Sequence, residues 1–329
     1  MFFEYFIQKL RKQHKIISTS RRYEQVNGIR KFGSINPNII GKHGGGNNVD
    51  KLLASLNRSK LLTKKIEKTR PELLISFCSP EASRVAYGLG IPHIAFSDSP
   101  HAKAVMKLSL PYVTKLLTPW IIPKNDFKEF GINSKNIIQY RAIDAGVIIK
   151  NYKKIKQKKS NNQKIILIRP EESEAAYITK KSRTIKIIKK IVEEFPNERK
   201  IVLSRYKDQS KNLKKIFGNN IFLLSKPVNG KELLKNIDCF IGSGGTMTAE
   251  SGLLGIPTIS LNVVPNRIED FLVKKRIIVR SENPDRISKE ISQSLNNLQI
   301  IKKKKEKAKK LVVSFEDPYQ VLLKTIRIL

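Results

Sequence analysis

Two things are scarce in this 329-residue chain: cysteine and acidic charge. Cys78 and Cys239 are the only cysteines, far apart and each at or inside an apolar run. That excludes a disulfide framework and a cysteine-based metal site, and it predicts two buried thiols in a reducing compartment. Asp and Glu number 28 against 64 Lys and Arg, a formal charge of +36. The sign suits a polyanion, an anionic membrane surface or a phosphate-bearing ligand. The excess is mostly lysine amid abundant Ile and Asn, a bias that an AT-rich genome also places on solvated faces. No run approaches the roughly 20 apolar residues that span a bilayer. The opening "FFEYFIQKLRKQ" lacks the basic start and small-residue cleavage site of a signal peptide. The expectation is a cytoplasmic protein, with peripheral attachment to a membrane as the alternative. No metal-ligand spacing is present, so no metal is expected.

Short apolar runs alternate with longer amphipathic ones along the whole chain, the pattern of parallel strands joined by crossover helices. Predicted strands in the first half are 15–20, 37–42, 72–77, 92–97, 115–118 and 136–140; in the second half they are 164–169, 200–204, 221–225, 237–242, 257–261 and 276–280. Between the halves, "KNYKKIKQKKSNNQ" is polar and lysine-rich, which predicts a linker. The predicted domains are 1–150, a basic linker 151–163, 164–314, and a C-terminal helix 315–329 packed back on the first domain. Doubly wound domains usually open on a strand, whereas here Phe3, Phe6, Ile7 and Leu10 form an apolar helical face at the start. The expectation is that a first strand and its loop are missing from the sequence as written. The fold class expected is α/β, two doubly wound, Rossmann-like domains facing a cleft.

The most specific stretch is "FIGSGGTMTAESGLLGIPTIS", 240–260. An apolar run ends where a strand should end, good helix formers follow, and the glycines fall on the turn between them, where α/β sheets bind ligands. Gly242, Gly244 and Gly245 permit close backbone approach and positive φ, while the first helical amides and the helix dipole favour an anion. Ser243 and Thr246 add hydroxyl donors. Glu250 follows Thr246 by about 6 Å of helix rise, and its carboxylate would repel phosphate but can accept two ribose hydroxyls. No Lys-Ser or Lys-Thr closes a P-loop, and the turn does not follow the first strand as a dinucleotide fingerprint should. A plain tight turn with a solvated Glu250 is the alternative.

"GSGGTMTAESGLLGIPTIS" resembles the C-terminal-domain motif of glycosyltransferase-B-type enzymes, including the UDP-N-acetylglucosamine 2-epimerases and the lipid-linked N-acetylglucosaminyltransferase of peptidoglycan synthesis. The resemblance implies Ser243, Gly244, Gly245 and Thr246 for a diphosphate and Glu250 for ribose. Taken with "GKHGGG" (41–46), "SPEASRVAYGLGIPHIAFSDSPHA" (79–102), "IRPEESEAAY" (168–177) and "FEDPYQV" (315–321), nearly the whole chain is similar to a largely archaeal domain-of-unknown-function family, number 354, of the same architecture. Members of that family open with a strand and a loop carrying His and Pro, which this chain lacks.

Other candidate residues lie at predicted strand ends. His43 stands beside three glycines and suits a general base, a donor to phosphate or sugar, or a solvated loop residue. Asp98 and His101 in "SDSPHA" suit an oriented acid/base pair; alternatively Asp98 or Ser99 caps a helix with Pro100 at its first position. Arg169 could reach a phosphate and Glu171 a sugar hydroxyl, or these and Glu172 pair on the surface.

The reading is an inverting glycosyltransferase-like enzyme that takes a nucleoside-diphosphate sugar, a UDP-sugar first, to a lipid-linked or polysaccharide acceptor. Its catalytic candidates are His43, Asp98 and His101, and no cofactor is required. Epimerisation of the nucleotide sugar is the second reading. A basic protein that binds nucleic acid or anionic membrane comes last, because the lysines are spread through both halves without an aromatic-interleaved motif. The oligomeric state is not indicated.

Overall fold

The computed structural model describes residues 2–22, 35–150, 163–171, 181–204, 207–224, 228–261 and 263–329. The predicted linker, apart from residue 163, and Glu172 lie outside the described residues. Two compact units result: residues 1–147 with 315–329, and residues 148–314.

The first unit opens on α1 (Phe2–Leu10), followed by β1 (Thr19–Arg22), β2 (Asn38–Lys42) and the long α2 (Asn48–Thr69). Then come β3 (Leu74–Ser76), α3 (Pro80–Gly88), β4 (His93–Phe96), α4 (Lys103–Ser109), β5 (Lys115–Pro119), the short α5 (Asn125–Lys128), β6 (Ile137–Tyr140) and α6 (Asp144–Lys150), within which the two units divide. Strands β3-β4-β5-β6 form a parallel sheet in chain order, and β1 pairs with β2, also parallel. Ile94, Phe96, Leu116, Leu117 and Ile137 are fully buried, as strands covered on both faces require.

Of the strand predicted at 15–20, only Thr19 and Ser20 pair, and the strand runs on to Arg22. The apolar signal misled here because Ile17 stays 37% exposed, so extending the strand backward would bury little. The C-terminal segment belongs to this unit. Asp317 caps α14 (Pro318–Ile326) through the Tyr319 N–H (3.0 Å), with Pro318 at the first position. The Asp317 carboxylate also accepts from Tyr5 Oη and pairs with Lys9 Nζ at 2.9 Å, tying α14 to α1. Phe315 lies so close to Gly146 that a Cβ there would stand 2.6 Å from its ring.

The second unit is one six-stranded parallel sheet. Its elements are β7 (Ile165–Arg169), α7 (Lys181–Glu194), β8 (Arg199–Leu203), α8 (Lys207–Phe217), β9 (Phe222–Leu224), α9 (Gly230–Lys235), β10 (Cys239–Gly242), α10 (Thr246–Leu253), β11 (Thr258–Ser260), α11 (Arg267–Lys274), β12 (Val279–Arg280), α12 (Pro284–Asn296) and α13 (Leu298–Val313). Period-2 alternation sends Ile166, Ile168, Cys239 and Ile241 to one face against Ile187, Ile191, Ile287 and Ile291. It sends Leu167, Ile201 and Phe240 to the other, against Leu234 and Ile237. Both thiols are buried as expected, and burial pushes each up to about 12. The strand predicted at 276–280 shrinks to two residues because its first half forms the turn that closes off α11. Arg276 adopts φ +50°, and the Ile277 N–H returns to the Leu272 carbonyl at 2.9 Å.

The sheet order is β12-β11-β10-β7-β8-β9. The chain lays β7, β8 and β9 outward in one direction, then restarts on the other side of β7 with β10. The order therefore reverses between β7 and β10, and outside the carboxyl ends of such a pair an open α/β sheet leaves a ligand crevice.

Candidate functional site

Gly242, the last residue of β10, pairs in register with Arg169, the last residue of β7. The glycine turn thus begins at the reversal point of the sheet. Gly244 has φ +104° and Gly245 φ +82° with ψ −167°, a region essentially restricted to glycine. Each glycine has its own reason. A Cβ on Gly242 would stand 2.5 Å from Thr248 Oγ1, and one on Gly244 would stand 2.9 Å from Glu269 Oε2. A Cβ on Gly245 would meet nothing within 4 Å among the described residues beyond its chain neighbours. Packing forces the first two, whereas at Gly245 backbone conformation requires glycine and no described residue crowds the space beside it.

Gly245 is the N-cap of α10, and no side chain caps it. The first amides of a helix have no intrahelical acceptor, and together with the dipole they favour an anion. Gly245 and Thr246 are exposed, Ser243 and Gly244 half-buried. Arg169 sends its Nη1 to within 3.0 Å of Met247 Sδ, which brings a guanidinium over the first turn of α10. Ser243, Gly244, Gly245, Thr246 and Arg169 therefore share one end of the sheet. Glu250 lies one helical turn beyond Thr246 and is buried, 5% exposed. Glu171 faces elsewhere. It is buried, its carboxylate accepts from Thr184 Oγ1 on α7, and its backbone carbonyl accepts from Gln209 Nε2 on α8 at 3.0 Å.

Glu269 belongs to this end of the sheet without any mark of it in the sequence. Its Oε1 accepts from Ser260 Oγ (2.8 Å) and Arg280 Nε (3.0 Å), while Oε2, buried beneath Gly244, has no hydrogen-bond partner among the described residues. Burial raises its carboxyl, opposed by the bonds from Ser260 and Arg280. Only a tertiary contact reveals this residue; in the sequence it reads as a first-turn helix acid beyond Asn266, whose side chain caps α11.

In the first unit, His43 follows β2 and is half-buried. Its Nδ1 accepts the Gly45 N–H at 3.0 Å, which places the proton of the neutral ring on Nε2. So arranged, the imidazole offers a donor rather than a base. The loop is seated on α2: a Cβ on Gly44 would stand 2.5 Å from Lys51 Cα, and Asn47 caps the helix through the N–H groups of Val49 and Asp50.

Asp98 and His101 follow β4. Asp98 Oδ1 accepts from Ser99 Oγ at 2.7 Å. Burial raises its carboxyl, while the Ser99 bond and the nearby His101 pull it down. The alternative in which Asp98 or Ser99 caps a helix is overturned. α4 starts at Lys103 with Ala102 as N-cap, because the Ser99 carbonyl instead takes the Ala102 N–H in a turn. A second acid at this edge was not predicted: Asp144, at the start of α6, is buried and accepts from Tyr140 Oη at 2.6 Å. Burial raises its carboxyl well above the usual range, and the charge of Asp98 raises it further. The available signal was an aspartate four residues after a predicted strand end, the same positional logic that singled out Asp98.

The family described as "Protein of unknown function (DUF354)" matches residues 1–328. The Uncharacterized protein MJ0665 of Methanocaldococcus jannaschii is 28% identical over 301 residues, 87% of this chain and 82% of its own. Among solved structures, the UDP-GlcNAc 2-epimerase of Neisseria meningitidis bound to UDP-GlcNAc is similar at a TM-score of 0.73 and 14% identity, covering 99% of this chain and 96% of that one. For the Methanocaldococcus jannaschii UDP-GlcNAc 2-epimerase in complex with UDP-GlcNAc and UDP the values are 0.66, 18%, 90% and 89%. For the glycotransferase of kitacinnamycin they are 0.61, 12%, 94% and 91%. At these identities the likeness carries the fold: α/β, with parallel Rossmann-like sheets of the glycosyltransferase-B type.

Proposed function

This chain belongs to the family described as "Protein of unknown function (DUF354)", and for it we propose an enzyme that cleaves the anomeric bond of a nucleoside-diphosphate sugar, with glycosyl transfer as its reaction. The observation that carries the proposal is the glycine turn, uncapped and partly exposed, at the point where the second sheet reverses its strand order. Solved structures of the same fold hold UDP-GlcNAc, one of them with UDP as well, which supports UDP as the first nucleotide to test.

In the proposed reaction the amides of Gly245 and Thr246, the Ser243 and Thr246 hydroxyls and Arg169 hold the diphosphate, and Glu250 holds ribose. An acceptor hydroxyl oxygen attacks the anomeric carbon from the side opposite the diphosphate. The bond to phosphate breaks, and the configuration inverts. The helix end and Arg169 stabilise the negative charge gathering on the departing diphosphate. A base takes the acceptor proton. We assign that role to Asp98, with His101 beside it. His43, with its proton on Nε2, serves as donor to a sugar or phosphate oxygen. Glu171 is given a framework role, holding α7 and α8 to the end of β7.

One observation favours epimerisation as the second reading: two acids, Asp98 after β4 and Asp144 after β6, stand at one end of the same sheet with carboxyls that burial raises, and inversion of a ring carbon needs more than one proton-transfer group. Product analysis separates the two. Incubation with UDP-GlcNAc in heavy water should release UDP only when an acceptor is supplied. Deuterium entering the recovered nucleotide sugar at carbon 2 would instead establish epimerisation, and neither outcome across a panel of nucleotide sugars would remove the proposal.

A further inference from the structure

Helix α2 buries one side only. Leu62 and Ile66 pack with Val85 against Ile40, Leu74 and Ile91. Another face of its first two turns is apolar and uncovered: Val49 is 64% exposed, Leu52 60%, Leu53 58% and Leu56 58%. Positions 49, 52, 53 and 56 follow the i, i+3, i+4, i+7 spacing and fall within an arc of about 100°. Single exposed leucines are ordinary, but four in one stripe are not. The stripe runs on into Lys60 and Lys64, both exposed. The helix therefore presents leucine followed by cation along one line. The His43 loop is seated on its first turn, through the packing of Gly44 on Lys51.

We propose that this stripe docks the protein on an anionic bilayer surface. Four side chains offer only a few hundred Å², against the ~800 Å² per partner of a stable protein interface. A second copy would also bring another +36 charges against the first. A bilayer asks for less: an amphipathic helix lying in the interface needs a few large apolar side chains, with lysines at headgroup level drawn to anionic lipid. No helix among the described residues is long and apolar enough to cross a membrane. The docking goes beyond the nucleotide-sugar reading and does not depend on it. It holds the His43 loop at the level of lipid headgroups, and, resting on that reading, it makes a lipid-linked acceptor the expected class.

Cosedimentation with vesicles of phosphatidylcholine alone, and with roughly one-third phosphatidylglycerol, tests the proposal without any nucleotide. The variant carries Leu52→Ser, Leu53→Ser and Leu56→Ser together. A control carries Leu298→Ser and Val313→Ser, 76% and 72% exposed at opposite ends of α13. Matching thermal melts confirm that both variants are folded. The wild type should bind the anionic vesicles and leave the neutral ones, with partitioning reduced at least about tenfold in the triple variant and unchanged in the control. Three results would overturn the proposal. The wild type could stay in the supernatant. The triple variant could bind as the wild type does, showing lysine adhesion without the stripe. Or sedimentation equilibrium could show a dimer that the triple variant loses, making a second copy the occupant.

Discussion

The two units build their strand-end chemistry by opposite means. In the second, the candidate site is backbone: Gly244 and Gly245 at positive φ, an uncapped helix start, and an exposed Thr246. In the first it is burial: Asp98 and Asp144 are carboxyls raised by desolvation, Tyr140 is fully enclosed, and below them His93 is a histidine with no exposure at all. A site made of backbone shape leaves its mark in the sequence as glycine. A site made by burial leaves an ordinary aspartate whose behaviour depends on what the fold puts around it. The first should fail through geometry and the second through electrostatics.

The largest effect is expected from Gly244→Ala. Its Cβ would meet Glu269 Oε2 at 2.9 Å from a backbone held at φ +104°, and strain and overpacking together should cost about 4 kcal/mol in denaturant unfolding. A loss below 1 kcal/mol would mean that the turn is soft and that the contrast between the units is overstated.

Next comes His93. Its Nε2 meets Ser76 Oγ at 2.9 Å, its Nδ1 has no partner among the described residues, and burial pushes it down to about 4. Because the folded value lies below the unfolded one, the unfolded chain takes up the proton first. Stability should therefore fall as pH drops below about 6.5, by about 3 kcal/mol once pH reaches 4. Asp98, Asp144 and Glu269 are raised and work the other way, gaining protons in the folded state as pH falls. The difference in unfolding free energy between wild type and His93→Leu, followed across pH, isolates the histidine: its slope should appear below 6.5. A flat difference would refute the burial account.

Asp144→Ala should cost about 2 kcal/mol, because it strands the Tyr140 hydroxyl in the core. Tyr140→Phe in the same background should recover most of it, which a double-mutant cycle reads directly. The smallest effect is expected at Thr246→Ala, an exposed hydroxyl at the turn. A loss of UDP affinity of about threefold without change in stability is expected, since the amides carry the site.

Most strands could be placed from sequence because Ile-rich runs buried on both faces have no polar side to disguise them. The segments at 15–20 and 276–280 deceived for a different reason: an apolar run says that residues want burial, not that they will pair. Ile277 and Ile278 satisfy that demand in the turn that closes off α11 instead. The glycine turn was legible because positive φ narrows the choice of residue. The reversal of strand order that gives the turn its meaning was not, since sheet order is a tertiary property. Asp144 and Glu269 escaped because nothing local separates a buried carboxylate from a helix-start acid.

The central claim is that the β10–α10 turn holds a nucleoside diphosphate, and Gly245 tests it most directly. A methyl there would meet no atom of the described residues within 4 Å beyond its chain neighbours, so among them it changes the space at the helix start and little else, apart from a backbone cost of about 1–3 kcal/mol. Calorimetric titration of UDP into the wild type and Gly245→Ala, at a temperature where both are folded, should give one site in the wild type. Affinity in the variant should be weaker by at least about tenfold. Equal affinity in the two proteins, or no binding by the wild type of UDP or any other nucleoside diphosphate, would contradict the account.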